Sequence, residues 1–302
     1  MGSQGLWSGM SRKEILEIAS KYVPGWYAIF IDYGPLAEVN PNIATVEEGK
    51  TALMAAAENG CYAVAMMLIM NGASVRQTDR SGNTALHYAA HEGYICIAEL
   101  FLNRGSDIEA VNSSQCTPLM WAAKAGRCAV VRLLLERKAT LTCQLNENKE
   151  SALTLAVQSG RLEAIKVILD WVPKGMQHVE ELNAALRLAV SSGEKEMVQL
   201  LLDHGADVNH SDNANSTVIF AAVEMGDVET LKCLRTKGAH LEVYDKDGYT
   251  PLIQAAKAGN AVMVEALLTL AHTVVTFYAN IFEVNVGRYG GQTVIAISRP
   301  WW

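Results

Sequence analysis

The 302-residue sequence predicts an all-α solenoid of stacked helix-turn-helix units with connecting β-turn loops. Three observations lead there. The stretch "GNTALHYAAHEG" at 82–93 is written again 33 residues later as "QCTPLMWAAKAG", and the same frame returns along most of the chain. Behind each copy runs a segment with apolar residues at helical spacing, closed in most copies by a second Gly. No unit of this size buries two apolar faces alone, so neighbours must stack and be stabilised by the interfaces between them.

The frame is anchored at Thr51, Thr84, Thr117, Ser151, Ala184, Thr217 and Thr250. Two residues on stand Leu53, Leu86, Leu119, Leu153, Leu186, Ile219 and Leu252; nine on stand Gly60, Gly93, Gly126, Gly160, Gly193, Gly226 and Gly259. Five residues after the anchor there is an Ala in every copy, Ala56 to Ala255, small enough for a neighbouring helix to approach closely. A Thr or Ser hydroxyl caps a short helix, and Pro118 and Pro251 fit its first position, where an N–H is not needed. Gly then ends that helix in the left-handed conformation. The second helix is clearest in "AVVRLLLER" (129–137) and "EMVQLLLDHG" (196–205), and an Asp/Asn/Gly-rich turn such as "ADVNHSDNANS" leads to the next anchor.

The period and the strings "TALHYAAHEG", "TPLMWAAKAG" and "TPLIQAAKAG" resemble the ankyrin repeat over about 230 residues. The repeats are expected near 46–78, 79–111, 112–145, 146–178, 179–211, 212–244 and 245–277. The resemblance implies a non-enzymatic protein-protein interaction module or scaffold that grips a protein partner with its turn tips and the concave face of its first helices. The alternative is a regulatory subunit that inhibits or positions a separate enzyme. Carried over position by position, the candidate partner-binding residues are Arg80, Tyr88, His91, Glu92, Trp121, Lys124, Gln158, Glu224, Tyr249 and Lys257. Tyr88 and Trp121 hold the same place in adjacent repeats, either as a hot-spot pair or as filler between repeats. His87 resembles the family's histidine that ties neighbouring turns together. The context "LLLDHGADVN" resembles that in which ankyrin proteins are hydroxylated on Asn; Asn209 either carries that modification or simply stabilises its turn.

The pattern frays in three places. The third repeat has one extra residue within "ATLTCQLNENKES". Between the fourth and fifth, "LDWVPKGMQHVEELNAAL" lacks the usual exit, Pro173 should stop the second helix, and Ala184 stands where a capping hydroxyl belongs. Residues 1–45, with Ser11 and Glu14 as a capping box, are expected to form an N-terminal helical cap. Residues 278–302, where Thr293 and Ile295 echo the start of a unit, are expected to be a degenerate cap or a disordered tail ending in Trp301 and Trp302.

Little in the composition points to chemistry. The net charge of −7 argues against nucleic acid, which needs a basic face. No zinc spacing joins the six cysteines to histidines, His87 and His91 lack the HExxH pattern, and "VGRYGG" at 286–291 lacks the ending of a phosphate loop. Neither cofactor nor metal is expected. The cysteines, including Cys143, read as small core hydrophobes in a reducing compartment, giving a cytoplasmic location with nuclear entry open. The apolar run 266–282 contains His272 and Asn280 and reads as a buried last helix, membrane attachment being the weaker alternative. A monomer is expected.

Overall fold

The computed structural model describes residues 40–141, 146, 148–171, 179–212, 216–279, 285–289 and 292–296. The chain forms two compact units, residues 1–181 and 182–302. In the first, helix pairs follow one another as α1 (Ala52–Glu58) with α2 (Tyr62–Met70), α3 (Ala85–Glu92) with α4 (Ile95–Asn103), α5 (Pro118–Ala125) with α6 (Cys128–Glu136), and α7 (Ala152–Gln158) with α8 (Leu162–Trp171). Helix α9 (Val179–Ser192) spans the boundary. The second unit continues with α10 (Lys195–Asp203), α11 (Val218–Met225), α12 (Val228–Thr236), α13 (Pro251–Lys257) and α14 (Ala261–Ala279), then strands β1 (Asn285–Tyr289) and β2 (Gln292–Ala296). First helices pack on first helices (α1 on α3, α3 on α5, α5 on α7, α11 on α13), and second helices on second helices.

The repeated residues form the core, as stacking requires. Ala56, Ala89, Ala122, Ala156, Ala189, Ala222 and Ala255 are all fully buried. The anchor hydroxyls cap their helices: Thr51, Thr117, Ser151 and Thr250 each accept from the backbone N–H three residues on, at 3.3 Å. Gly93 shows why the closing position is Gly. It sits at φ 87°, and a Cβ there would meet Arg127 Cδ of the next repeat at 2.7 Å. Leu252 differs from its six counterparts, being 36% exposed where Leu53, Leu86, Leu119, Leu153, Leu186 and Ile219 are at most 2% exposed. Among the described residues no further helix pair follows α13 and α14 to cover it.

Five turn tips share one construction. The backbone N–H of Asp79, Asn112, Asn146, Asp212 or Asp245 donates to the carbonyl four residues on. The side-chain Oδ1 of the same residue accepts from the N–H of Asn83, Cys116, Glu150, Ser216 or Tyr249 at 2.8–2.9 Å. Each tip is thus a loop closed on itself by one Asp or Asn. In the first unit adjacent tips also join through the backbone, Arg80 N–H to Glu48 and Ser113 N–H to Ser81.

The fifth repeat lacks this device. Val179 stands five before the anchor, where five repeats carry Asp or Asn and the first carries Val46, and it begins a helix. Helix α9 runs 14 residues, against seven or eight for the other first helices, with Glu180 and Glu181 favourably placed in its first turn. Ala184 lies inside this helix rather than capping it. Asn183 Oδ1 instead accepts from Asp207 N–H at 2.7 Å, and Arg187 pairs with Asp212.

At the C-terminal end, α14 continues past residue 277, and β1 and β2 pair antiparallel with Val286 opposite Ile295. Thr293 and Ile295 therefore lie on a strand, and all-α describes the helix pairs but not this ribbon. No helix among the described residues is long and apolar enough to cross a membrane. The expectations for residues 1–39, Cys143, Pro173, Asn280, Trp301 and Trp302 lie outside the described residues.

Candidate partner-binding surface

In the first unit the candidate residues gather around Trp121 on α5. Its ring meets three others edge-on: His87 at 5.6 Å, Tyr88 at 6.0 Å and His91 at 5.5 Å between centroids. Tyr88 is held on its far side as well. Its hydroxyl donates to Asp79 Oδ2 at 2.6 Å, and Lys50 Nζ lies 4.5 Å from its ring centroid. Burial first, then the Asp79 carboxylate, pushes the Tyr88 phenol well above its ordinary value. Both Tyr88 and Trp121 are half-buried, packed against the stack on one side and open on the other.

His87 below them is fully buried. Its Nδ1 accepts from Thr84 N–H at 3.1 Å, so Nε2 carries the proton and donates to the Cys116 carbonyl at 3.0 Å. The imidazole spans two repeats, and burial holds its pKa below the ordinary value, keeping it neutral. His91 is exposed and bonds Glu92 at 2.7 Å, while Arg127 reaches Glu92 at 3.8 Å and donates from Nε to the His91 carbonyl at 2.8 Å.

The other candidates in this unit lie further out. Arg80 has an exposed side chain on its tip. Gln158 donates to Glu150 Oε1 at 2.7 Å. The Glu150 carboxyl is held below its ordinary value by Asn146 first, then by Gln158 and Asn148, with Lys124 contributing its charge. Lys124 itself is exposed on α5. Glu147 and Asn213, at two further tips, lie outside the described residues.

Glu224, Tyr249 and Lys257 meet in the second unit, which sequence position alone did not foresee. They line a hollow of about 270 Å³ with Ser216, Phe220, Asp245, Lys246, Asp247 and Gln254. Lys257 Nζ lies 3.8 Å from the Tyr249 ring centroid, and Gln254 Nε2 donates to Glu224 Oε1 at 2.9 Å. Met225 beside Glu224 is an exposed apolar side chain.

Asn209 is committed on both sides of its amide. Oδ1 accepts from His240 N–H at 2.8 Å, and Nδ2 donates to the Gly238 carbonyl at 3.1 Å, tying its turn to the following repeat. Among the described residues no three His, Cys, Asp or Glu side chains converge to hold a metal ion. Among the described residues, Cys61, Cys96, Cys116, Cys128 and Cys233 form no disulfide. They are exposed or half-buried rather than core, which corrects the expectation that they pack as buried hydrophobes.

The family model for ankyrin repeats (three copies) matches residues 28–112, 53–145, 93–179, 119–212 and 186–277. The chain belongs to the ankyrin repeat family. Two solved ankyrin domains show the same stacking. The human ASB11 ankyrin repeat domain is 28% identical, with a TM-score of 0.64 over 73% of this chain and 98% of that one. The ankyrin repeat domain of Bcl-3, described as a unique member of the IkappaB protein family, is 23% identical, with a TM-score of 0.62 over 73% and 99%. No curated protein sequence matches the chain significantly.

Ankyrin repeats are in general protein-protein interaction modules. Within this ankyrin frame, sequence reading picked out the tips but missed Gln254 and Phe220, which build the second-unit hollow. Gln254 carried a signal: it is the one polar residue at the place held elsewhere by Ala, Leu, Tyr or Trp.

Proposed function

We propose that the chain is a non-enzymatic scaffold that grips a protein partner on its first-helix face and turn tips, with Arg80, Tyr88, His91, Glu92, Trp121, Lys124, Gln158, Glu224, Tyr249 and Lys257 on that surface. The observation that supports it is a contrast within each repeat. Positions facing the stack carry the same small residues every time and are buried. Those seven and eight after the anchor vary among repeats, although the third and seventh share Lys-Ala, and several project into solvent, His91, Lys124, Glu224 and Met225 among them. Side chains free of packing duty can specialise for a partner. The clasped rings around Trp121 supply a rigid aromatic patch that loses little freedom on contact. Described cysteines without disulfides fit a reducing, cytoplasmic setting.

The test compares two charge-altering variants in affinity capture from native lysate. H91E/K124E changes exposed first-helix residues, and E99K/R132E changes exposed second-helix residues on the opposite side of the pairs. Loss of the captured proteins from the first variant alone is expected. Equal capture by both, or loss from the second alone, would refute this surface.

A further inference from the structure

We infer that the stack does not end at α1 and α2: the side of α2 turned away from α4 receives residues 14–34 of this same chain as one more repeat. Burial locates that side. At thirteen and seventeen after the anchor, the residues of the six later repeats, from Ile97 and Phe101 to Met263 and Leu267, are at most 3% exposed. Met263 and Leu267 keep that burial although no described helix pair follows theirs, so these places are covered by their own first helix and the preceding repeat. In the first repeat the same places hold Val64 and Leu68, and both are only half-buried. Nor does α2 have the polar outer side that a terminal unit needs. Its sequence "YAVAMMLIM" carries no charge, whereas each of the six other described second helices carries at least one.

A clamp at Asn42 identifies what belongs there. Its Nδ2 donates to the Gly72 carbonyl at 2.9 Å, and its Oδ1 accepts from Ser74 N–H at 2.7 Å. Asn209 makes the same two bonds, to Gly238 and His240, and Gly72 and Gly238 both follow the end of a second helix. At Asn209 the pair joins the exit turn of one repeat to the next repeat. Asn42 is thus the exit turn of a unit ahead of the first anchor, and the sequence before it is written in the same frame. Leu16 and Ala19 are spaced as Leu86 and Ala89 are, and "IFIDYG" at 29–34 parallels "LLLDHG" at 200–205. The ankyrin family match itself begins at residue 28. A short tether keeps this unit in its own chain. The steps from Gly34 to Asn40 reach at most about 20 Å, and α2, with nine residues, is about 14 Å long. With Glu14 at the anchor place, Lys21 and Tyr22 fall where His91 and Glu92 do, so the docked unit lengthens the partner surface by one repeat. That consequence rests on the function proposed above; the docking does not.

The test places the photo-reactive amino acid p-benzoylphenylalanine at position 67 of α2 in the full chain and maps its cross-links by mass spectrometry across a dilution series. Links to residues 26–34 of the same chain, at a yield unchanged by dilution, are expected. Links between copies, links to other segments alone, or none at all would overturn the docking. Hydrogen exchange gives a reading that does not depend on that insertion. Phe30→Glu should speed exchange of the α2 amides about ten-fold and leave those of α6 unchanged. Equal rates in α2 would overturn the docking as well. Lys21→Glu, which should leave α2 exchange as it is, is read by affinity capture. Reduced capture is expected, and undiminished capture rejects the added partner surface while the docking stands on its own two measurements.

Discussion

The imidazole of His87 reaches from one repeat to the next, its Nε2 donating to the Cys116 carbonyl at 3.0 Å. Burial holds its pKa below the ordinary 6.5 against the opposing pull of that bond, and Nδ1, which accepts from Thr84 N–H, marks the ring as neutral. The unfolded chain takes up this proton near its ordinary pKa while the folded chain resists it. The His87 contribution to stability is therefore complete above that value and lost as pH falls toward the lower folded pKa. His87→Gln keeps an acceptor for Thr84 N–H but cannot titrate. Urea midpoints measured between about pH 8 and 5 should fall less steeply for this variant. Parallel profiles would remove His87 as the titrating group.

Trp121 touches three rings yet keeps one side open. Trp121→Ala should cost about 2 kcal/mol, less than for a fully buried aromatic. Tyr88→Phe, which removes only the hydroxyl bonded to Asp79, should cost about 1 kcal/mol. Chemical denaturation measures both. A loss below a few tenths in Trp121→Ala would make that ring a pure contact residue with no part in the stack.

The tip at Asp245 depends on one oxygen, which accepts from Tyr249 N–H at 2.8 Å. Asp245→Ala should speed hydrogen exchange at Tyr249 and cost about 1 kcal/mol. Asp245→Asn should restore both, since Asn112 and Asn146 do the same work in their own tips. Failure of Asn to rescue would mean that charge, not acceptance, holds this turn.

Gly93→Ala faces two obstacles at once, a left-handed backbone and the Arg127 side chain laid across the site. The backbone alone costs about 1–2 kcal/mol. Arg127→Ala removes the clash but not the backbone cost, so the double variant should recover part of the loss. A strictly additive double-mutant cycle would show that Arg127 yields freely.

Most of the stacking half of the fold was readable because its requirements are absolute. Only a small residue fits at Ala89 and only Gly at Gly93, so both recur without exception. The tips were harder to read, because their rule is carried by residues too ordinary to stand out singly. Asp79, Asn112, Asn146, Asp212 and Asp245 become a pattern once each is seen accepting from the residue four positions on. Val179 has no side-chain acceptor and begins α9, but Val46 at the same place in the first repeat lies in a turn, so the missing acceptor alone does not dictate a helix. The hollow was legible only in part: Glu224, Tyr249 and Lys257 were each marked as surface, but their meeting depends on how a tip folds over the preceding repeat. Side-chain convergence of that kind leaves no periodic trace.

A tip closed by its own Asp or Asn has a consequence for how such a chain diverges. The three residues inside each loop, such as Arg80, Ser81 and Gly82, are bracketed by bonds they do not themselves make through their side chains. Apart from the glycine, they drift under selection for recognition alone, while the neighbouring helices remain under selection for fit. Duplicate copies of one ancestral unit then acquire separate vocabularies, one turn at a time, without passing through an unfolded intermediate. The Val179 segment is the same freedom taken further: α9 begins where a tip would stand, and the stacking residues Leu186 and Ala189 of that repeat stay buried.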